Sequence, residues 1–292
     1  MTHKKPTRRM PARLFLVATA VCLLPACASP ENNSTENGAG AFGAPGPMAL
    51  QEALDAATVV DMSWPYNEET VYWPTAPGFT KNTDFEGMTD GGYYYSAYTV
   101  TTAEHGGTHL DAPVHFAEGR HAADEIPLER LMGPAYVVDV SDMALADRDY
   151  LISVSDLLEA EGRLGPIPDG AILLLRTGYG RYWPEREQYM GTAEQGEEAV
   201  AKLHFPGIDP AAAEWLVANR SIDAVGIDTP SIDFGQSSLF ETHRVLFEAN
   251  IPAFENVAHL DRLPETGAAV IGLPMKIEGG SGGPLRLMGL VP

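Results

Sequence analysis

Cysteine is almost absent from this 292-residue chain, and the two that occur, Cys22 and Cys27, both fall near its amino-terminal end. The region after them therefore has no disulfide, no thiolate metal ligand and no thiol nucleophile. Any metal held there must take nitrogen and oxygen ligands, which narrows the choice to zinc, manganese or a similar ion. Basic residues are also scarce, 19 against 40 acidic ones. Setting aside Lys4, Lys5, Arg8, Arg9 and Arg13 at the start leaves 14 against 40, a net charge of −26. Such a surface repels nucleic acid and other polyanions, so a DNA or RNA partner is excluded and a small neutral or aromatic ligand fits better.

A run of apolar residues long enough to span a bilayer is missing as well. Leu14 to Leu24 is short and follows a basic stretch, the pattern of a signal peptide, here expected over residues 1–26. Leu24-Pro25-Ala26-Cys27 resembles a bacterial lipobox, which would anchor the chain to the membrane through a lipid on Cys27. Plain secretion with cleavage nearby is the alternative. Thr7-Arg8-Arg9 is a weak twin-arginine signal. Each route leads to the periplasm. Residues 27–47 are rich in Ser, Asn, Gly, Pro and Ala and read as a flexible tether. Residues 48–292 are then one domain, large enough for a single well-buried core.

Short apolar runs predict strands at Thr58–Met62, Ala135–Val140, Ala171–Leu175, Ala224–Ile227 and Ala268–Leu273, with Tyr93–Thr101 and Leu285–Val291 also strand-like. Helices are fewer. Met48–Ala57 is one. Ser153 with Asp156 three residues on has the form of a capping box. Asp209-Pro210 is a start signal for Ala211–Asn219, and His243–Asn250 is a further helix. The mixture predicts an α/β fold around a sheet or barrel-like core.

Eight histidines occur in the whole chain, and three of them fall within the run His105-Gly-Gly-Thr-His109-Leu-Asp111-Ala-Pro-Val-His115. Imidazole and carboxylate are ligands for a borderline or hard divalent ion. The glycines and Pro113 oppose a regular helix. On a straight strand His105 and His109 would stand roughly 13 Å apart, so the chain must turn at Gly106-Gly107 to bring them to one ion. His109 and Asp111 then share one face of the strand that follows, and Pro113 redirects His115. The run reads as a metal site with an acid/base group beside it.

This run resembles the signature of the cyclase family, which includes bacterial kynurenine formamidase, isatin hydrolase and related metal-dependent hydrolases. The likeness extends from near Asp61 to the Gly-rich Lys276-Ile-Glu-Gly-Gly-Ser-Gly-Gly-Pro-Leu-Arg286. It implies a swivelling β/β/α-type fold, a homodimer or homotetramer, and one or two divalent ions, zinc or manganese. It implies that His105, His109 and Asp111 are metal ligands, Asp111 able to bridge two ions, with His115 the catalytic acid/base. His243 and Glu255, twelve residues apart, match two further ligands. Trp73 matches a substrate-contacting aromatic, and His204 lies where related hydrolases place a polar pocket residue.

The activity so implied is hydrolysis of a small amide, in first place an N-formyl aryl amine. A cyclic amide or lactone is the alternative substrate, and a non-catalytic metal- or ligand-binding lipoprotein is the alternative of another class. Outside the resemblance, Asp228 and Asp233 follow a predicted strand, where each could orient a ligand imidazole or cap its own loop. His259 and His121 are expected at the surface, and one or two of Tyr93, Tyr94 and Tyr95 in the pocket. The run Gly279–Gly283 lacks the features of a phosphate loop and is expected where backbone must approach closely, near the site or an oligomer contact.

Overall fold

The computed structural model describes residues 47–292, so the expected signal peptide and nearly all of the expected tether lie outside the described residues. Twelve strands follow in chain order: β1 (Thr58–Asp61), β2 (Thr80–Met88), β3 (Tyr94–Thr101), β4 (His109–Asp111), β5 (Met132–Asp139), β6 (Leu151–Ile152), β7 (Ile172–Arg176), β8 (Gly207–Ile208), β9 (Ala224–Ile227), β10 (Ala253–Glu255), β11 (Ala269–Pro274) and β12 (Gly282–Val291). The α-helices are α1 (Pro47–Ala56), α2 (Ser141–Ala146), α3 (Val154–Leu164), α4 (Arg186–Met190), α5 (Glu197–Val200), α6 (Pro210–Asn219) and α7 (Glu241–Glu248). Among the described residues no helix is long and apolar enough to cross a membrane.

The main sheet runs β1-β12-β11-β5-β7-β9-β10-β4, and β12 also pairs with β4. That extra pairing closes seven strands into a ring, with β1 added outside on β12. Strands β5, β7, β9 and β10 are mutually parallel, whereas β4, β11 and β12 join antiparallel. The parallel strands are apolar on both faces because both are covered, and the period-two alternation sorts their side chains into two cores. Leu173 and Leu175 of β7 face outward to Leu157, Ala160, Ala212, Leu216 and Leu246 on α3, α6 and α7. Ile172 and Leu174 face a second cluster to which every ring strand contributes, including Leu110, Val137, Ala224, Phe254, Val270 and Leu287. That second cluster is the filled interior of the ring. Phe254 takes its centre opposite two glycines: a Cβ on Gly272 would stand 3.0 Å from the Phe254 ring, and one on Gly226 only 2.6 Å from Leu174.

Local signals hold where they were strong. Ser153 and Asp156 form a reciprocal capping box on α3, and the Asp209 carboxylate accepts the Ala211 N–H at the start of α6 with Pro210 in the first turn. The α7 start falls two residues earlier than periodicity suggests, at Glu241. Strand β2 gave no warning, because Thr-Lys-Asn-Thr-Asp-Phe-Glu-Gly-Met has no alternation of apolar residues. It pairs only with β3 in a hairpin separate from the ring. The tyrosines expected in the pocket are therefore not there: Tyr93, Tyr94 and Tyr95 are 63%, 59% and 51% exposed, and among the described residues no further strand pairs with the hairpin.

Replacing Phe254 by Ala empties the middle of the ring. Urea denaturation of the Phe254→Ala protein should show a loss of about 3–5 kcal/mol. A cost under about 1 kcal/mol would mean that the ring interior is not the packed core described.

Candidate metal centre and its pocket

Three short pieces of backbone bring the expected ligands together. Strand β4 carries His109 and Asp111, and register pairs Glu255 of β10 with His109 and Ala253 with Asp111. Helix α7 carries His243, and the chain leaves it through Asn250 at φ 56°, turning back into β10. Glu255 thereby returns beside His243, their Oε1 and Nε2 atoms 3.2 Å apart. Gly107, at φ 57°, makes the turn that places His105 next to β4. A side chain there would be strained and would strike the Tyr66 ring, 2.7 Å from a Cβ. Pro113 opens a one-turn 3-10 helix that swings His115 back toward Asp111.

Asp111 is the centre of the arrangement. Its Oδ1 lies 2.6 Å from His105 Nδ1 and 3.0 Å from His109 Nε2. Its Oδ2 lies 3.3 Å from His243 Nε2 and 4.0 Å from His115 Nε2. Two groups of potential ligands result, His105–His109–Asp111 and Asp111–His243–Glu255, joined through this one carboxylate. Asp111, His109, His243 and Glu255 are buried, while His105 and His115 remain about a quarter to a third exposed and form the open side.

The donor set fits a divalent cation. His109 Nδ1 donates to the Gly107 carbonyl at 3.0 Å, so the lone pair of Nε2 is aimed at Asp111 Oδ1, and that buried nitrogen has no hydrogen-bond partner among the described residues. Burial alone would push the Glu255 carboxyl up, and Asp111 beside it pushes it further. The neighbouring imidazoles answer that charge. Burial opposes protonation of His243, but Asp111, Asp233 and Glu255 together raise it well above its ordinary value. Two buried carboxylates facing imidazoles in this way call for positive charge between them, which a cation supplies with shorter and stronger bonds than protons on the rings.

His115 differs from the others. Burial brings it down to about 4 although Asp111 pulls the other way, so its ring is neutral at pH 7. Its ring makes no side-chain hydrogen bond among the described residues. It stacks on His105 with centroids 3.9 Å apart and meets Phe116 edge-on.

A cavity of about 320 Å³ opens over the cluster. All six expected metal and acid/base residues line it, as does Trp73. His204 does not. Leu203 and Phe205 are buried in an apolar cluster, while His204 between them is only half-buried and its Nδ1 meets the Asp149 carboxylate at 2.9 Å. Phe205 is the residue of that segment that reaches Trp73, ring centroids 6.4 Å apart. Asp233 accepts His243 Nδ1 at 2.5 Å, whereas Asp228 accepts the backbone N–H groups of Thr177 and Gly178 in the loop after β7, so it neither orients an imidazole nor caps its own loop. His121 is half-buried with an unpartnered Nδ1, rather than solvated. His259 is also half-buried, 4.9 Å from the Trp64 ring and outside the cluster. Sequence reasoning passed over Phe116 and Phe240, which wall the cavity with centroids 5.1 Å apart. Phe116 follows His115 directly, but nothing in the sequence marks Phe240, which holds φ 49° just before α7.

Comparison with known proteins agrees with this architecture. The chain belongs to the family described as Putative cyclase, whose model matches residues 60–234. Among its relatives are an isatin hydrolase of Roseibium aggregatum, 31% identical over 80% of this chain and 92% of that protein, and a kynurenine formamidase of Salinibacter ruber, 28% identical over 82% and 96%. The crystal structure of an isatin hydrolase bound to the product analogue thioisatinate superposes with a TM-score of 0.75 at 27% identity, covering 85% of this chain and all of that one. These relatives are hydrolases.

Metal added to the purified protein should raise its melting temperature, by the equivalent of about 2.7 kcal/mol when free ion stands at 100 times its dissociation constant. A His109→Ala protein should lose most of that gain, with Zn²⁺ and Mn²⁺ tried in turn. Equal stabilisation of both proteins would place the ion elsewhere.

Proposed function

We propose that the protein is a metal-dependent hydrolase of the carbonyl–nitrogen bond in a small, flat, uncharged aromatic amide, with a cyclic amide of the isatin type as the best fit. The observation that carries this reading is the cavity wall. Trp73, Phe116 and Phe240 line the cavity with the His/Asp/Glu cluster, and among the described residues no lysine or arginine lines it. Aromatic faces favour a planar ring, stacked or edge-on. An amino-acid side arm would bring an ammonium and a carboxylate against a wall with no cation to pair the latter. The N-formyl aryl amine expected first from the sequence is the second reading. The kinship to kynurenine formamidases favours it, and it needs the same chemistry.

His105, His109, Asp111, His243 and Glu255 would hold one or two divalent ions, zinc or manganese. A divalent ion in this position supplies Lewis acidity and makes water more acidic, toward a pKa of ~7. The chain supplies the proton transfer. Neutral His115 accepts the proton of the water that attacks the carbonyl carbon and returns it to the departing nitrogen. In a cyclic amide that nitrogen stays attached and the ring opens; in a formamide the amine leaves and formate is the other product. The Trp73, Phe116 and Phe240 rings keep bulk water from the back of the cavity and fix the plane of the substrate.

The deciding experiment offers isatin and N-formylkynurenine side by side to the metal-loaded protein. Ring opening of isatin, with N-formylkynurenine turned over at least tenfold less well, is expected. The reverse order would establish the second reading, and turnover of neither would remove both substrates. His115→Ala should keep its metal and lose roughly 10²–10⁴-fold in turnover. Full activity in that variant would refute the acid/base role.

The homo-oligomer implied by the family has a candidate surface on one face of the β2–β3 hairpin, where Tyr94, Tyr98 and Val100 are exposed. We infer that a second copy covers it. Light scattering should give a dimer or tetramer, and Tyr94→Lys with Val100→Lys should shift it toward monomer. A monomeric wild-type protein would end this reading.

A further inference from the structure

The three imidazoles nearest Asp111 each have an outer partner, and no two partners are alike. His109 Nδ1 meets the Gly107 carbonyl, and His243 Nδ1 meets the Asp233 carboxylate. His105 Nε2 instead lies 2.8 Å from the Ser281 hydroxyl. That hydroxyl donates to Glu104 Oε2 at 2.6 Å, and the same oxygen accepts the Ser281 backbone N–H at 3.2 Å. The single hydroxyl proton is thereby committed to Glu104. Toward His105 the serine oxygen can then act only as an acceptor. An imidazole that gives its Nδ1 lone pair to an ion keeps its proton on Nε2, where that oxygen accepts it. Nδ1 is the atom that faces Asp111, at 2.6 Å.

We propose that Glu104 and Ser281 are a positioning pair for His105. The carboxylate aims the serine hydroxyl, and the hydroxyl holds the rotation of the ring through Nε2, so that Nδ1 would be presented to the ion. This rests on the metal-site reading above and adds to it two residues outside the ligand set. The backbone around Ser281 is built for the contact. Ser281 immediately precedes β12, its carbonyl accepts the Ala112 N–H at 2.8 Å, and Gly282 is in register with Asp111. A Cβ on Gly282 would stand 2.7 Å from His105 Cε1 and 2.4 Å from the Leu110 carbonyl oxygen, and one on Gly280 3.0 Å from Glu104 Oε1. Ser281 is thus the one side chain in Gly279–Gly283, and the glycines beside it leave room for the two residues it joins.

The test is the Zn²⁺ affinity of the purified protein, by competition with a chromophoric chelator, together with exchange of the His105 Nε2–H proton with water in the zinc-loaded protein, followed by NMR. Ser281→Ala should bind Zn²⁺ about 10- to 100-fold more weakly than wild type. Its Nε2–H should exchange faster, because no hydroxyl oxygen accepts it, and its zinc-free melting temperature should stay close to wild type. Ser281→Thr, which keeps the hydroxyl, should restore affinity, and Glu104→Gln should fall between. Unchanged affinity in Ser281→Ala would overturn the proposal, as would equal loss in the Ala and Thr variants. Should Ser281→Ala fail to fold, Glu104→Gln decides alone, and wild-type affinity there overturns it. A wild-type protein that binds no Zn²⁺ or Mn²⁺ would remove the hydrolase reading itself. Zinc binding that ignores Ser281 removes only the positioning pair.

Discussion

One buried carboxylate, Asp111, organises this molecule. It is almost wholly withdrawn from water, in contact with four imidazoles, and its two oxygens divide the potential ligands into two groups. A charge in that position is costly unless it is paired. The pairing in turn dictates what the backbone must do: β4 is only three residues long, yet it is held between β10 on one side and β12 on the other. The hydrogen bonds of both neighbours fix the peptide planes that carry His109 and Asp111. The aromatic wall, the turn at Gly107 and the return of Glu255 all follow from surrounding that carboxylate on every side but one.

That open side is also where the groups differ in freedom. His109 and His243 are buried and each is locked from behind by a hydrogen bond, so they suit a fixed coordination role. His115 is less buried and unlocked, and burial keeps it unprotonated at neutral pH. A group that must gain and lose a proton within one cycle cannot be tied by a strong partner in either state. The contrast between tied and untied imidazoles therefore separates binding from proton transfer on geometry alone.

Much of this was legible in the residues. Three of the four parallel strands, β5, β7 and β9, declared themselves as continuous apolar runs, and caps at Ser153 and Asp209 marked two helix starts, because both signals are local. The His105–His115 run carried its own chemistry, and the two glycines after His105 announced a turn. What stayed hidden depends on distance. Phe240 joins the wall only because α7 is docked against the 3-10 turn at Pro113–His115, next to Phe116, a contact across more than a hundred residues that no spacing encodes. His204 was misplaced for a related reason. The apolar Leu203 and Phe205 won the competition for burial over the polar ring between them. The hairpin tyrosines looked like core residues by composition, but composition does not say whether a second layer lies over them.

The closure of the ring by β12 also bears on how the protein comes into being. Residues 282–284 pair with residues 109–111, so the enclosure of the candidate metal centre joins parts of the chain far apart in sequence. During synthesis β4 emerges long before its last neighbour, and until β12 arrives one edge of β4 has no strand to bond. Such long-range closure is slow and leaves earlier segments exposed for a time. The ion-binding cage therefore cannot be complete on a nascent chain. A polypeptide that reaches its destination unfolded would meet its metal there, drawing on the ions of that compartment and not on those of the place where it was made.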